Sequence, residues 1–308
     1  MDDQPILILG ATGDFGGAVL AAALDRGLCV RALARNAHEA RGRLGAPVGL
    51  EWVSGDARDP AAVQRAVLGA RAIVHAIDVP PADRAAVLPA IAGNVAAAAR
   101  TAGVPILFPG SVHVLGPGDG RPVPEDAAPA PTSRRGRIEA EVAGLLAEGC
   151  DLLTLRAGDR FGPDMRHWPG AGLFASLRAG RVAALPGNAG RPHQWCFLPD
   201  LARAALDLID RGWQGQTVVH GPALTVQGNG DFARAISRAA GHAGQPLRRQ
   251  PWWILRLRAL TDPGARDLLD QRYLWDDGIL LAPGRLGELL PEFKPTPLDR
   301  AIALTLAG

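Results

Sequence analysis

The sequence predicts an α/β fold built on a doubly wound parallel sheet, and three observations carry that reading. The chain opens with an apolar run of strand length, Pro5-Ile-Leu-Ile-Leu-Gly10, followed by a glycine-rich turn and a helix. Short apolar strands then alternate with helices as far as about residue 155. Beyond about residue 158 the rhythm breaks, and glycine, proline and tryptophan become frequent. Six of the seven tryptophans lie there: Trp168, Trp195, Trp213, Trp252, Trp253 and Trp275. The expected organisation is a Rossmann-type domain over 1–157. A smaller, irregular substrate-binding region over 158–308 is interleaved with the sheet edge.

The elements follow in order. After the first strand, Gly10-Ala-Thr12-Gly13-Asp14-Phe15-Gly16-Gly17 forms the turn, and Ala18 to Arg26 reads as a helix closing at Gly27. A buried strand feeding glycines and a helix N-terminus is a phosphate-binding device, because bare backbone N–H groups and the helix dipole favour negative charge. Cys29-Val-Arg-Ala-Leu-Ala34 is the second strand and residues 50–54 the third. Residues 60–68 read as a helix, and Arg71-Ala-Ile-Val-His-Ala-Ile77 as the fourth strand. An alanine-rich helix over 84–102 leads to the strand Val104-Pro-Ile-Leu-Phe108. A helix over 134–148 precedes the strand Asp151-Leu-Leu-Thr-Leu155. In such a sheet, ligands sit outside the carboxyl ends of the strands where their order reverses.

Composition narrows the function. A formal charge of +2 with no polybasic block argues against a nucleic-acid partner. Arg134, Arg135 and Arg137 form the densest basic cluster, read either as a solvated helix start or as a ligand contact. No apolar run reaches the roughly 20 residues of a bilayer span, and the first residues lack the order of a secretory signal. No membrane partner is expected, and the expected location is cytoplasmic. Cys29, Cys150 and Cys196 read as buried free thiols of a reducing cytosol, with no metal-ligand spacing. The only tyrosine is Tyr273 and the only lysine Lys294, so a mechanism needing either in the first half is excluded. High alanine and arginine in place of lysine suggest a GC-rich bacterial genome.

Five ordered segments resemble one family. They are Gly55-Asp56-Ala57-Arg-Asp59, the stretch from Asn94 to Val104 where a helix leads into the fifth strand, Gly110-Ser111-Val-His113-Val-Leu-Gly116, Arg156-Ala-Gly-Asp-Arg-Phe-Gly162-Pro163, and Leu198-Pro-Asp200-Leu-Ala202. Together with the glycine turn they resemble the extended or atypical short-chain dehydrogenase/reductases, of the nucleotide-sugar epimerase and dehydratase kind. The resemblance implies a dinucleotide held by Gly10, Thr12, Gly13, Asp14, Phe15, Gly16, Arg35, Asp56, Ala57, Ala76 and Ile77. The helices 84–102 and 134–148 occupy the positions through which the family dimerises, so a homodimer is one expectation and ordinary surface helices the alternative. Where the second strand ends the chain has Ala34-Arg35-Asn36 and no acid to bind a ribose diol. Arg35 can pair with a 2′-phosphate, so NADP(H) is expected over NAD(H).

The family's proton chemistry comes from a Tyr-x-x-x-Lys pair. In the matching register this chain has Ser133 and Arg137, within Pro131-Thr-Ser133-Arg-Arg-Gly-Arg137. Serine is a poor acid or base at neutral pH and arginine does not deprotonate, although Arg137 could still hold a ribose. Ser111 remains where the family polarises the substrate oxygen. His113, two residues along, is suited to proton transfer, with a hydrogen-bonded loop histidine as the alternative. His167, Trp168, His193 and Trp195 are candidate substrate contacts, and Glu125 and Asp126 read as a solvated acidic turn. The expected function is an NADP(H)-dependent oxidoreductase-like enzyme reducing a carbonyl or activated double bond of a small organic substrate. A non-redox lyase or isomerase on the same scaffold, and a non-catalytic NADP(H) sensor, are the alternatives.

Overall fold

The computed structural model describes residues 4–165, 170–185, 187, 190–244 and 247–308. By its contacts the chain divides into two compact units. One comprises residues 1–110, 138–156 and 202–219, the other 111–137, 157–201 and 220–308. The chain therefore passes between units five times, where the sequence reading placed one boundary, at 157/158.

In the first unit the strands are β1 (Ile6–Leu9), β2 (Val30–Ala34), β3 (Leu50–Ser54), β4 (Ala72–His75) and β5 (Ile106–Phe108). The helices between them are α1 (Asp14–Asp25), α2 (Ala37–Leu44), α3 (Pro60–Val67) and α4 (Arg84–Ala102). The second unit contributes β6 (Pro122–Val123), after which α5 (Arg134–Ala147) leads back to β7 (Leu152–Arg156). Next come β8 (Asp159–Phe161), α6 (Gly170–Arg178), β9 (Ala183–Leu185) and β10 (His193–Phe197), then α7 (Leu198–Arg211) and β11 (Gln216–His220). The remainder is β12 (Leu224–Val226), α8 (Asn229–Ala239), β13 (Leu247–Arg249), α9 (Trp252–Arg258), α10 (Pro263–Asp270), β14 (Leu280–Leu281), α11 (Arg285–Leu289) and α12 (Leu298–Ala307).

Among the described residues the first unit holds a seven-stranded sheet in the order β11-β7-β5-β4-β1-β2-β3. The ladders β1–β2, β1–β4, β2–β3, β4–β5 and β5–β7 are all parallel. The strand order reverses between β1 and β4, as a doubly wound sheet requires. All four residues of β1 are 0 % exposed, the continuous burial expected of a parallel strand covered on both faces. Leu7, Leu9, Val63, Ile73, Ile91 and Ile106 share the core beneath the helices.

Two of the helices α1 to α5 differ from the sequence expectation. The first begins at Asp14 rather than Ala18, with Gly13 as its extended N-cap. Glycine is a poor helix former, yet Gly16 is required there because a Cβ on it would lie 2.2 Å from the Gly10 carbonyl oxygen. The second, α2, was not read at all. It is capped by Asn36, whose side chain accepts from the Glu39 backbone N–H, an Asn-x-x-Glu signal resembling a capping box. By length and composition α4, at 19 residues, could cross a bilayer. Its Ile91, Val95 and Ala99 instead pack in the core.

The second unit is built on a three-stranded sheet, β12-β10-β8, with β10 antiparallel to β12 and parallel to β8. Two-stranded pairs β13–β9 and β14–β6 accompany it. Its core is aromatic: Phe161 lies between Phe174, Phe197 and Phe232, with ring centroids 5.3 to 5.5 Å apart.

Candidate functional site

At the head of the sheet in the first unit, three glycines do three different jobs. Gly10 has φ of 90°, and a Cβ on it would lie 2.5 Å from the Ala76 carbonyl oxygen, so only glycine permits the turn from β1 into α1 to pass against the end of β4. Gly16 allows helix and turn to touch, as above. Gly13 is different: a Cβ there would meet nothing nearer than the Gly10 carbonyl oxygen at 3.4 Å. It is exposed, as is Thr12, whereas Phe15 and Gly16 are buried. No packing demand explains Gly13, and its bare backbone at the N-terminus of α1 suits the close approach of a pyrophosphate. The turn thus fits a dinucleotide.

The flanking expected contacts lie in the same unit. Ala76 and Ile77 follow β4, with the Ala76 N–H bonded to the Leu9 carbonyl at 2.8 Å. Arg35 is exposed just past β2. Asp56 is gripped by Arg58, whose Nε and Nη2 donate to Oδ2 at 3.0 and 2.6 Å. That bonding holds the Asp56 carboxyl below its usual pKa, with Arg35 adding a weaker Coulombic pull. Asn94 fixes the same loop by donating to the carbonyls of Ala57 and Arg58. His75, at the end of β4, is wholly buried, and its Nδ1 has no hydrogen-bond partner among the described residues. Burial pushes its pKa down to about 4, so the ring is neutral at physiological pH.

The residues matching the family's catalytic positions lie in the second unit. Ser111 is 6 % exposed and bridges Ala157. Its Oγ accepts from the His113 N–H at 3.2 Å, closing a short turn over Val112–Val114. Ser133, in the tyrosine register, is fully buried. Its Oγ accepts from the Gly136 N–H at 3.0 Å, which makes it the N-cap of α5. Arg137 is exposed and folds back to donate from Nη1 to the Thr132 carbonyl at 2.7 Å. Both stand-ins for the Tyr/Lys pair are therefore engaged in holding the start of α5. Gly136 brings this turn against the carbonyl of His113. The chain's single tyrosine, Tyr273, places its hydroxyl 3.4 and 3.3 Å from the carbonyl oxygens of His113 and Leu115.

A second cluster surrounds Asp159. Its Oδ2 accepts from His193 Nε2 at 2.9 Å and from Trp275 Nε1 at 2.7 Å. A carboxylate can only accept, so this contact assigns the His193 proton to Nε2. Trp195 is a core residue, 1 % exposed. It donates to Asn229 Oδ1 at 2.9 Å and stacks on Phe232 at 4.6 Å. His167 and Trp168 lie outside the described residues. Glu125 corrects the expectation of a solvated acidic turn, because its carboxylate accepts from the His220 and Arg285 backbone N–H groups at 2.8 and 3.0 Å. Asp200 is likewise an anchor, buried and bonded to the N–H and hydroxyl of Thr296. Sequence reasoning missed Asp159, Tyr273 and Trp275 as partners, since their pairings span 34 to 160 residues.

Comparison with known proteins agrees with this architecture. A model of the NmrA-like family matches residues 2–116. No curated protein sequence matches the chain. Among solved structures, the Bordetella bronchiseptica enzyme WbmH in complex with NAD+ is similar at a TM-score of 0.78 and 22 % identity, covering 99 % of this chain and 97 % of that one. DesIV, a dTDP-glucose 4,6-dehydratase from Streptomyces venezuelae solved with NAD, matches at 0.76 and 18 %, covering 98 % and 96 %. UDP-N-acetylglucosamine 4-epimerase from Bacillus cereus matches at 0.74 and 15 %, covering 98 % and 95 %. At these identities the likeness is one of fold. The doubly wound α/β fold expected from the resemblance to extended short-chain dehydrogenase/reductases is the fold observed.

Proposed function

We propose that the chain binds a nicotinamide dinucleotide on the Gly10–Gly16 turn and is an oxidoreductase-like enzyme acting on a small organic substrate. The observation that carries this is Gly13, a glycine with room for a side chain on the open N-terminus of α1. The matched WbmH and DesIV structures hold NAD, which supports the cofactor class. For this chain the 2′-phosphorylated form is favoured, because Arg35 stands at the end of β2 where a ribose-binding acid would repel that phosphate.

The dinucleotide would supply hydride to a carbonyl or activated double bond. Thr12, Gly13 and the first N–H groups of α1 would hold its pyrophosphate, and Arg35 its 2′-phosphate. The Ser111 hydroxyl would donate to the substrate oxygen as charge develops there. His113 would supply the proton, a role Ser133 cannot take while buried as a helix cap. The engagement of Ser133 and Arg137 within the start of α5 also favours a second reading, a non-catalytic NADP(H)-binding sensor.

A turnover screen separates the two. NADPH oxidation is followed at its nicotinamide absorbance across aldehydes, ketones and enones, with His113→Ala in parallel. Turnover of any member that falls in the variant while dinucleotide affinity holds supports the enzyme. Tight binding with no turnover by any member supports the sensor.

A further inference from the structure

The second unit carries a surface that the proposed chemistry does not use. Nine large apolar side chains are exposed among the described residues, and four of them fall within one short stretch: Trp253 at 64 %, Ile254 at 40 %, Leu257 at 61 % and Leu260 at 79 %. They lie on α9 and the helical turn that extends it, where Ala259 N–H bonds to the Leu255 carbonyl at 2.8 Å. At about 100° per residue these four side chains occupy one continuous arc of roughly 120°. Arg256 and Arg258 flank that arc on its two sides. The opposite face points inward, where Leu255 is buried. Trp252 stacks on Trp275 and under the Arg272 guanidinium.

Charge completes the pattern. From Gly241 to Thr261 the sequence has four arginines, Arg248, Arg249, Arg256 and Arg258, and no acidic residue. All four are exposed. Arg258 pairs with Asp262 at the end of the turn.

We propose that this outer face of α9 lies on an anionic lipid surface, with Trp253, Ile254, Leu257 and Leu260 entering the headgroup boundary and the arginines contacting lipid phosphates. A helix with an aromatic-aliphatic face bordered by arginines is the interfacial type. Anionic headgroups supply the charge that complements the four arginines, and an exposed apolar patch of this kind marks an interaction surface. The expectation of no membrane partner rested on span length and on the residue order of a secretory signal, which bear on crossing a bilayer and not on lying against one.

Vesicle flotation tests this with the full chain. Phosphatidylcholine vesicles with about 30 % phosphatidylglycerol should carry the protein at low salt, pure phosphatidylcholine should not, and about 0.5 M salt should release it. Trp253→Ser/Leu257→Ser and Arg248→Gln/Arg249→Gln/Arg256→Gln should each reduce recovery about tenfold, with Tm unchanged because these side chains are exposed. If the apolar variant loses Tm, the arginine variant carries the test alone. Absent recovery, equal recovery on neutral vesicles, or equal recovery of the variants overturns the proposal. A dimer that Trp253→Ser/Leu257→Ser splits in ultracentrifugation, without vesicle binding, also overturns it and assigns the face to a second copy.

Discussion

The carbonyl oxygen of His113 lies 1.9 Å from the point at which a side chain on Gly136 would begin. Helix α5 can therefore start beside the Ser111 turn only if position 136 is glycine. Gly136→Ala must push one segment away from the other. Overpacking of a buried contact costs about 1–3 kcal/mol, and the loss should appear in urea unfolding. An unchanged midpoint would mean that the turn and helix separate freely.

Ser133 supports the same junction from the other side. Ser133→Ala removes a buried N-cap, which should cost about 1–2 kcal/mol, while dinucleotide affinity stays as it was. The contrary pattern, intact stability with turnover lost, would show that the serine has inherited the tyrosine's proton chemistry.

His75 sets an acid limit on the fold. Its folded pKa, about 4, lies below an unfolded value near 6.5, so the unfolded chain binds the proton first. Stability is full above pH 6.5 and is lost as pH falls through about 4. The loss amounts to about 3 kcal/mol at the lower end, at about 1.4 kcal/mol per pH unit. His75→Leu should flatten that slope in urea midpoints measured from pH 7 to 4. A slope identical in the variant would place the acid sensitivity elsewhere.

The cysteines offer a simple chemical check. Burial pushes the Cys196 thiol up to about 12, so almost no thiolate exists at neutral pH. Alkylation of native protein by iodoacetamide should spare Cys196 until denaturant is added. Rapid native labelling at that position would show that β10 opens.

Much of this was legible because local signals sufficed. The span of α4 and that of β3 follow from composition and period, and the glycine turn from its place between strand and helix. The start of α1 was misplaced because Gly16 and Gly17 suppress helix propensity, while the contact with the Gly10 carbonyl that demands a glycine at 16 exists only in the folded turn. The Asn36–Glu39 cap was present in the sequence but sat in a polar segment without an apolar stripe. The Asp159–His193–Trp275 cluster and the Tyr273 contact could not be read, since each joins residues far apart in the chain. Glu125 looked solvated for the same reason: both its partners are backbone groups more than 90 residues away.

The arginine after β2 gives the cofactor preference its own test. Arg35→Glu should weaken NADPH about tenfold or more, the scale of a charge-assisted hydrogen bond lost to repulsion, and should leave NADH nearly unchanged. Equal weakening of both would remove the 2′-phosphate role.

The central claim is that the Gly10–Gly16 turn holds a nicotinamide dinucleotide, and calorimetric titration of the protein with NADPH and with NADH tests it most directly. Wild type should bind NADPH at micromolar Kd with a clear preference over NADH. Gly13→Ala, which the fold tolerates at 3.4 Å from its nearest neighbour, should keep its Tm and lose most of that affinity. No heat from either dinucleotide, or an alanine variant that binds as wild type does, would contradict the account.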